Sequence, residues 1–491
     1  MIRAGVIRAE WVKFRSVRGW VVAVVVAAIA IVGFAIDGGA QGSCYGNSCA
    51  QPTGPGGEAV SDSFYFVHQA LAGNGAITVR VASLTSAVRS PRGGTQRVVV
   101  PWAKAGIIVK AGLTPGSAYA AIMVTGSRGV RMQDDFTGDI AGPAMQAGWL
   151  RLVRSSGSVI TGYASADGTR WTRVGAVTLP GLPTTVQGGL FTTSPQWTQT
   201  SLGVAAITGD ASQSTAVFDH AALTWRGAWT GTDVGGSSGG PAAGPATGYS
   251  RAGRVITIVG SGDIAPATSG PSGLGVTPAQ TLAGAFIALT ILAVTGAMFM
   301  TAEYRHRLIR VTLAACPMRG RVLAAKTLVT GLVAFATALA GTAVAVPAGE
   351  RVLRSHGVYL PPLTALTETR MIVGTAAALA VCTVLAVAIS TVARRGAAAI
   401  AAVVTLIVAP YVLTVSIPVL PLGAADWLMC VTPAAAFAVE QTTVQYPQVD
   451  DVYAPAYGYF PLAPWAGFAV LCAWTAVFLT LAAVALKRRD A

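Results

Sequence analysis

Charge is scarce in this chain. Lys, Arg, Asp and Glu together make up 11% of its 491 residues, against about 25% in an ordinary soluble protein. A chain so poor in charge, with 53% hydrophobic residues, is not one ordinary soluble domain. Other absences narrow the chemistry. No Gly-x-x-x-x-Gly-Lys-Ser/Thr run occurs, so no loop of that kind cradles ATP phosphates. Between Asp37 and Val276 the only Glu is Glu58. Glycoside hydrolysis commonly needs two carboxylates flanking the bond. Asp134 and Asp135 are sequence neighbours, so on a strand they would face opposite sides of a sheet. The long apolar runs carry no Asp, Glu, His or Lys near their midpoints, which argues against a proton or sodium relay and against an ion channel.

What the chain does have is six long apolar runs, at 20–36, 278–300, 327–348, 371–393, 397–420 and 463–486. Each is about the length needed to cross a hydrocarbon core of ~30 Å as a helix. In lipid the backbone must satisfy its own hydrogen bonds, so helix is the expected form. Pro410 is expected to bend the fifth. Arg3, Arg8, Lys13, Arg15 and Arg18 precede the first run, as they would in a signal peptide. The flank is long and no A-x-A-like cleavage site follows, so an uncleaved anchor is the reading taken. The net charge of +14 follows topology rather than nucleic acid. Lys and Arg gather at 3–18, 305–326, 394–395 and 487–489, and are missing altogether from 421–462. Basic residues favour cytoplasmic loops. One topology suits every cluster: both termini inside, six spans, and 37–276 outside. The same basic residues would meet anionic lipid headgroups. Usage rich in Ala, Gly, Val and Arg suggests a GC-rich bacterial genome, and hence a bacterial plasma membrane.

The outside segment opens on a Gly/Pro/Ser-rich linker, 37–60. It holds Cys44 and Cys49, six residues that read Cys-Tyr-Gly-Asn-Ser-Cys. An oxidising compartment favours a small disulfide loop there, the other reading being two free thiols. Two thiolates without a nearby His are too few for a metal. From 61 to 228 short β-branched and aromatic runs alternate with turn signals such as Gly73-Asn74-Gly75, Pro115-Gly116 and Asp167-Gly168. Residues 159–165 and 169–174 flank Ala166-Asp167-Gly168 as a hairpin. The expected fold is an antiparallel β-sandwich. The phrases at 102–110, 130–135, 149–154 and 162–171, in that order, resemble concanavalin A-like (laminin G-like) domains. Glucanases of that fold carry Glu-x-Asp-x-x-Glu on one strand, which this chain lacks. Such folds also host lectins and plain adhesion modules. Trp102, Trp149, Trp171 and Trp197 are therefore either glycan contacts or, more commonly in sandwiches, core residues. Residues 229–276 read as a second linker with one short β run. The sandwich is expected to be tethered at both ends and mobile over the membrane.

The most informative short segment follows the second run: Met300-Thr-Ala-Glu-Tyr-Arg-His-Arg-Leu-Ile-Arg, continuing to Cys316-Pro-Met-Arg-Gly-Arg and Lys326. Residues 303–316 read as a short amphipathic helix at the cytoplasmic surface, with Pro317 ending it. Its alternatives are a docking element for a soluble partner and a plain headgroup anchor. Here the chain resembles the permease subunits of ABC-2-type transporters. Glu303, Arg310, Ala315, Pro317, Arg319 and Lys326 match the family's Glu after the second span, basic helix, Ala-x-Pro-x-Arg, and Lys opening the third. His306-Arg-Leu-Ile-Arg310 departs from the family's usual Gly-Thr-Ile-Arg. Glu10, Lys13 and Arg15 in the 1–19 segment resemble the family's amphipathic lead-in helix, and 424–445 falls where the family places short re-entrant helices.

The resemblance covers the N-terminal segment and 277–491. It implies a transport subunit without its own enzymatic activity or bound cofactor. ATP would be hydrolysed by a separate cytoplasmic ATPase, and a second copy or related permease would complete the path. It further implies that Glu303, Tyr304, Arg305, Arg307, Arg310, Pro317, Arg319, Glu10, Lys13 and Arg15 couple to that ATPase. The rival reading is a membrane-anchored sensor whose sandwich recognises an envelope glycan or other ligand. An anchor alone needs one span rather than six.

Overall fold

The computed structural model describes residues 4–41, 51–89, 94–200, 207–225, 227–236, 246–269, 277–305, 318–416 and 420–488. Six helices within it are long and apolar enough to cross a membrane: Arg18–Asp37, Pro278–Arg305, Arg319–Ser355, Ala365–Ala393, Gly396–Val415 and Pro464–Arg488. A large antiparallel sandwich stands between the first and the second. The architecture is that of a polytopic α-helical membrane protein with an inserted β-sandwich.

The fourth span is the bundle's centre, with 72% of its apolar window buried; the first and sixth have only 17% and 22% buried. Val22, Val25, Val26 and Ile29 of the first span face outward, where lipid or another helix can cover them. Small residues let backbones approach. A Cβ on Gly284 of the second span would sit 2.4 Å from the Ala30 carbonyl oxygen of the first. One on Gly467 of the sixth would sit 2.1 Å from the Ala435 carbonyl oxygen. That carbonyl belongs to the short 3₁₀ helix Pro433–Glu440, which with Leu422–Val431 precedes the sixth span. The third span is 37 residues, about 55 Å at 1.5 Å per residue, well beyond the hydrocarbon core. Its N-terminal end carries Arg319 and Lys326. The fifth span runs through π-helical turns at Val404–Val408 and Val412–Ser416 on either side of Pro410. Proline removes one backbone donor and widens the ladder there.

The sandwich has a seven-stranded sheet, in the order Thr230–Val234, Phe64–Ala72, Thr185–Thr193, Lys104–Lys110, Tyr119–Thr125, Val130–Asp134 and Gly138–Ala141. The facing sheet runs Thr172–Thr178, Val159–Ser165, Gly148–Ser155, Gly75–Arg89, Ser212–Leu223, Val255–Gly260 and Gly248–Ala252, with Thr95–Val98 paired to one end of Gly75–Arg89. Thr230–Val234 and Val255–Gly260 lie in the segment that composition marks as linker with one short β run; they pair with Phe64–Ala72 and Ser212–Leu223 as sheet members. The predicted hairpin is present, with its second strand at Thr172–Thr178. In its turn the Asp167 carboxylate accepts the backbone N–H groups of Arg170 and Thr169 and the Ser165 hydroxyl. Those bonds hold its pKa well below the usual carboxylate range.

Between the sheets lies the main core, which includes Val67, Ile107, Ile122, Leu150, Leu190 and Phe218. A second core covers the other face of the seven-stranded sheet, with Phe64, Phe66, Ile108, Tyr119, Phe136 and Phe191. Lys104–Lys110 serves both, since alternate side chains point to opposite faces. Its two lysines are fully buried: Lys104 meets Asp263 at 2.7 Å, and Lys110 meets Asp62 at 2.6 Å. Burial pushes the Asp62 carboxyl up and the Lys110 ammonium down. Asp62 ends one strand, and Asp263 precedes the other, of a small two-stranded sheet, Val60–Asp62 with Ile264–Pro266, that closes this face.

The sandwich does not hang free as its glycine-rich flanks suggest. Gln448 donates from Nε2 to the carbonyls of Phe136 and Thr137, at 3.5 and 3.2 Å. Thr268 donates its hydroxyl to Asp451. Ser269 donates its N–H to the Tyr459 hydroxyl and its own hydroxyl to the Tyr457 carbonyl, each at 2.8 Å. Tyr359 donates to the Gly57 carbonyl at 3.2 Å. These bonds seat the domain on the loops that join the third to the fourth span and the fifth to the sixth.

Candidate functional site

The lead-in helix Ala4–Ser16 brings Glu10, Lys13 and Phe14 to one face, as i, i+3 and i+4 positions do. That face lies against the ends of the second and third spans. Lys326 is fully buried and donates from Nζ to Glu10 Oε2 at 2.8 Å and to Glu303 Oε1 at 2.9 Å. Lys13 donates to Glu10 Oε1 at 2.8 Å and to Glu303 Oε1 at 3.0 Å. Two carboxylates and two ammonium groups thus form a neutral ring of four bonds. Its members come from the lead-in helix (Glu10 and Lys13), the second span (Glu303) and the third (Lys326). Phe299 lies beneath, its ring centre 3.9 Å from the Lys326 nitrogen. Phe14 and Trp20 pack edge-on against that ring, at 5.6 and 4.7 Å. A cation over an aromatic face gains further attraction when water is excluded.

Burial lowers the Lys13 pKa, but bonds and charges from Glu10 and Glu303 more than offset it and leave it raised. The node can hold the lead-in helix rigidly to two spans at the point where the chain leaves for 306–317. Buried ion pairs are costly to form and costlier to break on one side, which suits a joint that must transmit displacement without opening.

The other residues singled out from sequence fall in different places. Arg15 is exposed and turned away from the node. Tyr304 is half-buried with its ring under Arg394, 5.6 Å away. Arg305 is exposed and lines a cavity of about 750 Å³ with Trp20, Tyr304, Arg394 and Arg395. Arg319 donates to the Leu486 carbonyl at 2.5 Å and so ties the third span to the sixth. Arg307, Arg310 and Pro317, with most of the 303–316 helix, lie outside the described residues, as do Cys44 and Cys49. The hub role of Lys326 was not legible: the motif places it at the opening of the third span, but only packing shows that it joins Glu10 to Glu303.

The four tryptophans do not converge. Trp102 is buried, with Arg131 and Arg128 at 5.2 and 5.9 Å from its ring. Trp149 and Trp171 are half-buried on the outer face of the eight-stranded sheet; Trp149 meets His220 and Trp171 lies under Arg151, 4.1 Å away. Trp197 sits in a separate two-stranded ribbon. Asp134 and Asp135 are split by a turn, Asp135 having left-handed φ and accepting the Tyr119 N–H. Among the described residues no group of three or more His, Cys, Asp or Glu is placed to hold a metal.

Comparisons with known proteins were made for sequence and for fold. A search of curated proteins finds no match. Among solved structures, a functionally unknown protein from Saccharomyces cerevisiae is similar at 17% identity and a TM-score of 0.20, covering 36% of this chain and 83% of that one. SCP-B, a member of the eqolisin family of peptidases, is similar at 9% identity and 0.24. Scytalido-glutamic peptidase is similar at 9% and 0.25. Each peptidase match covers 40% of this chain and 98% of the other. Likeness at that level carries no argument about activity. The family described as ABC-2 family transporter protein matches residues 12–491, nearly the whole length, and with six spans in place the chain belongs to that family as a transporter permease.

Proposed function

We propose that this chain is the permease subunit of an exporter driven by a separate cytoplasmic ATPase, which hydrolyses the ATP. The observation that carries the reading is the buried node of Glu10, Lys13, Glu303 and Lys326. It links the lead-in helix to two spans beside the 303–316 segment, where resemblance places ATPase docking. Closure of the ATPase would press on that segment and on the lead-in helix, and the node would pass the movement to the spans. Both termini then lie in the cytoplasm of a bacterial cell, and the sandwich outside. The open face of the first span suits a second permease copy, or a related permease, across the transport path. Two facing antiparallel sheets support the concanavalin A-like assignment. The sensor reading gains nothing from the tryptophans, one of which is buried and the rest dispersed.

The test is to capture the tagged chain from its native membrane in detergent and identify what accompanies it. A P-loop ATPase in near-stoichiometric amount is expected. Glu303→Ala or Arg310→Glu should then lower ATPase stimulation in the purified complex while membrane insertion is unchanged. Full stimulation in both variants would end the coupling role.

A further inference from the structure

A small cavity of about 110 Å³ lies where the second span begins, the fifth ends and the 3₁₀ helix Pro433–Glu440 stops. Gln280, Tyr411, Tyr457 and Phe460 wall it, and the Glu440 side chain reaches it. Glu440 is 6% exposed. Its hydrogen-bond partner is neutral: Thr375 of the fourth span donates to Oε1 at 3.2 Å. Among the described residues no cation pairs with it. Arg370, five residues before Thr375 in the fourth span, directs its guanidinium to the Gln441 carbonyl instead. Nor does the 421–462 segment supply a lysine or arginine.

A carboxylate buried without a counter-ion is expensive. An apolar residue would pack here at less cost, so the group needs a reason to face the cavity. Metal ions are a poor fit, since they require several oxygen ligands and no cluster of acidic groups stands here among the described residues. Aromatic rings beside a single carboxylate instead suit an organic cation, which gains from both. Tyr411 is held in place by stacking on Phe286 at 4.6 Å and contact with Phe437 at 4.3 Å. It also lies between the two π-helical turns of the fifth span, an irregularity frequent at functional sites.

We propose that this cavity binds one ammonium group, as borne by a cationic amphiphile, with Glu440 as its counter-ion and Tyr411, Tyr457 and Phe460 as its ring walls. That such an amphiphile is the exported cargo rests on the permease reading; the binding itself does not. Burial pushes the Glu440 carboxyl up to about 8. The groups that face it are Thr375, Gln280, Tyr411 and Tyr457, with Arg370 nearby, and none of them supplies a positive charge to the carboxylate. A bound ammonium would ionise it. Binding therefore releases a proton at pH 7 and tightens as pH rises toward 8.

The test is calorimetric titration of the full chain, in phosphatidylcholine nanodiscs, with octylammonium, octyl sulfate and octanol. Octylammonium is expected to bind at one site, and Glu440→Gln to weaken it at least tenfold without changing the response to octanol or octyl sulfate. Repeating the wild-type titration at pH 7 in two buffers of different ionisation enthalpy should show close to one proton released per ligand. Equal affinity in Glu440→Gln, or no preference for octylammonium over octanol, would overturn the proposal. If the variant does not fold, the wild-type measurement decides, and binding without proton release overturns it as well. No ATPase is present, so failure here leaves the permease reading untouched, and absence of an ATPase partner leaves this result standing.

Discussion

Replacing Lys326 by Met removes the one fully buried ammonium of the node it forms with Glu10, Lys13 and Glu303. Its bonds of 2.8 and 2.9 Å to Glu10 and Glu303 go with it, and two buried carboxylates are left with Lys13 alone. Breaking one side of a buried ion pair costs about 3–5 kcal/mol. Lys13 bonds to the same carboxylates, but its side chain is 39% exposed. Solvent screens it, and Lys13→Met should cost only about 1 kcal/mol. The two variants remove the same charge from the same pair of glutamates; Lys326 differs in being fully buried and in lying over the Phe299 ring. Thermal unfolding of the detergent-purified full chain, followed at 222 nm where the six spans dominate, reads the difference. At about 2–4 °C per kcal/mol, Lys13→Met should lower the midpoint by about 2–4 °C and Lys326→Met several-fold more. Adding Glu303→Gln to Lys326→Met restores one carboxylate to one ammonium and should recover at least half of the loss. A Lys326→Met midpoint no lower than that of Lys13→Met, or a double variant less stable than the single one, would refute the reasoning.

Three further outcomes are expected. Asp62→Ala strands the fully buried Lys110 and should destabilise the sandwich by about 3–5 kcal/mol, whereas Asp62→Leu with Lys110→Met should be close to neutral; thermal melts of the full chain compare them. Burial holds the Asp451 pKa raised, against the lowering effect of the Thr268 hydroxyl and the Val452 N–H. The seated state therefore binds the proton more readily than the unseated one. Its seating is fully stabilised below the ordinary carboxylate pKa and weakens as pH rises through the raised value. Hydrogen exchange in 445–455, corrected for intrinsic rates, should slow on going from pH 7 to pH 5, and Asp451→Asn should abolish that dependence. Gly467→Val would drive a side chain into the Ala435 carbonyl and should cost about 1–3 kcal/mol by overpacking, visible as a lower midpoint and faster proteolysis before the sixth span.

Much of the architecture was legible because its causes are local. Six apolar runs of membrane-spanning length can only be helices in lipid, and alternation punctuated by turn residues marks a sandwich. The Asp167-Gly168 turn bonds within itself and was visible as a hairpin signal. The strand Lys104–Lys110 shows the limit. Nothing local to it shows that its terminal lysines are buried; their partners, Asp62 and Asp263, arrive from distant segments. Composition likewise marked 229–276 as linker with one short β run; Val255–Gly260 is that run, but Thr230–Val234 and Gly248–Ala252 also fill places in the two sheets.

By itself, then, the chain's order of residues determined the spans, the inserted sandwich and the motif after the second span, each written in a contiguous stretch. The tertiary structure alone decided which charges meet. Glu10 and Lys326 are separated by 316 positions and Thr268 and Asp451 by 183, and no local periodicity relates residues so far apart. It also decided that the sandwich is seated on the membrane part, and that Glu440 faces a cavity without a counter-ion. Burial is a property of what surrounds a side chain, and for these residues the surroundings come from helices and loops remote in sequence.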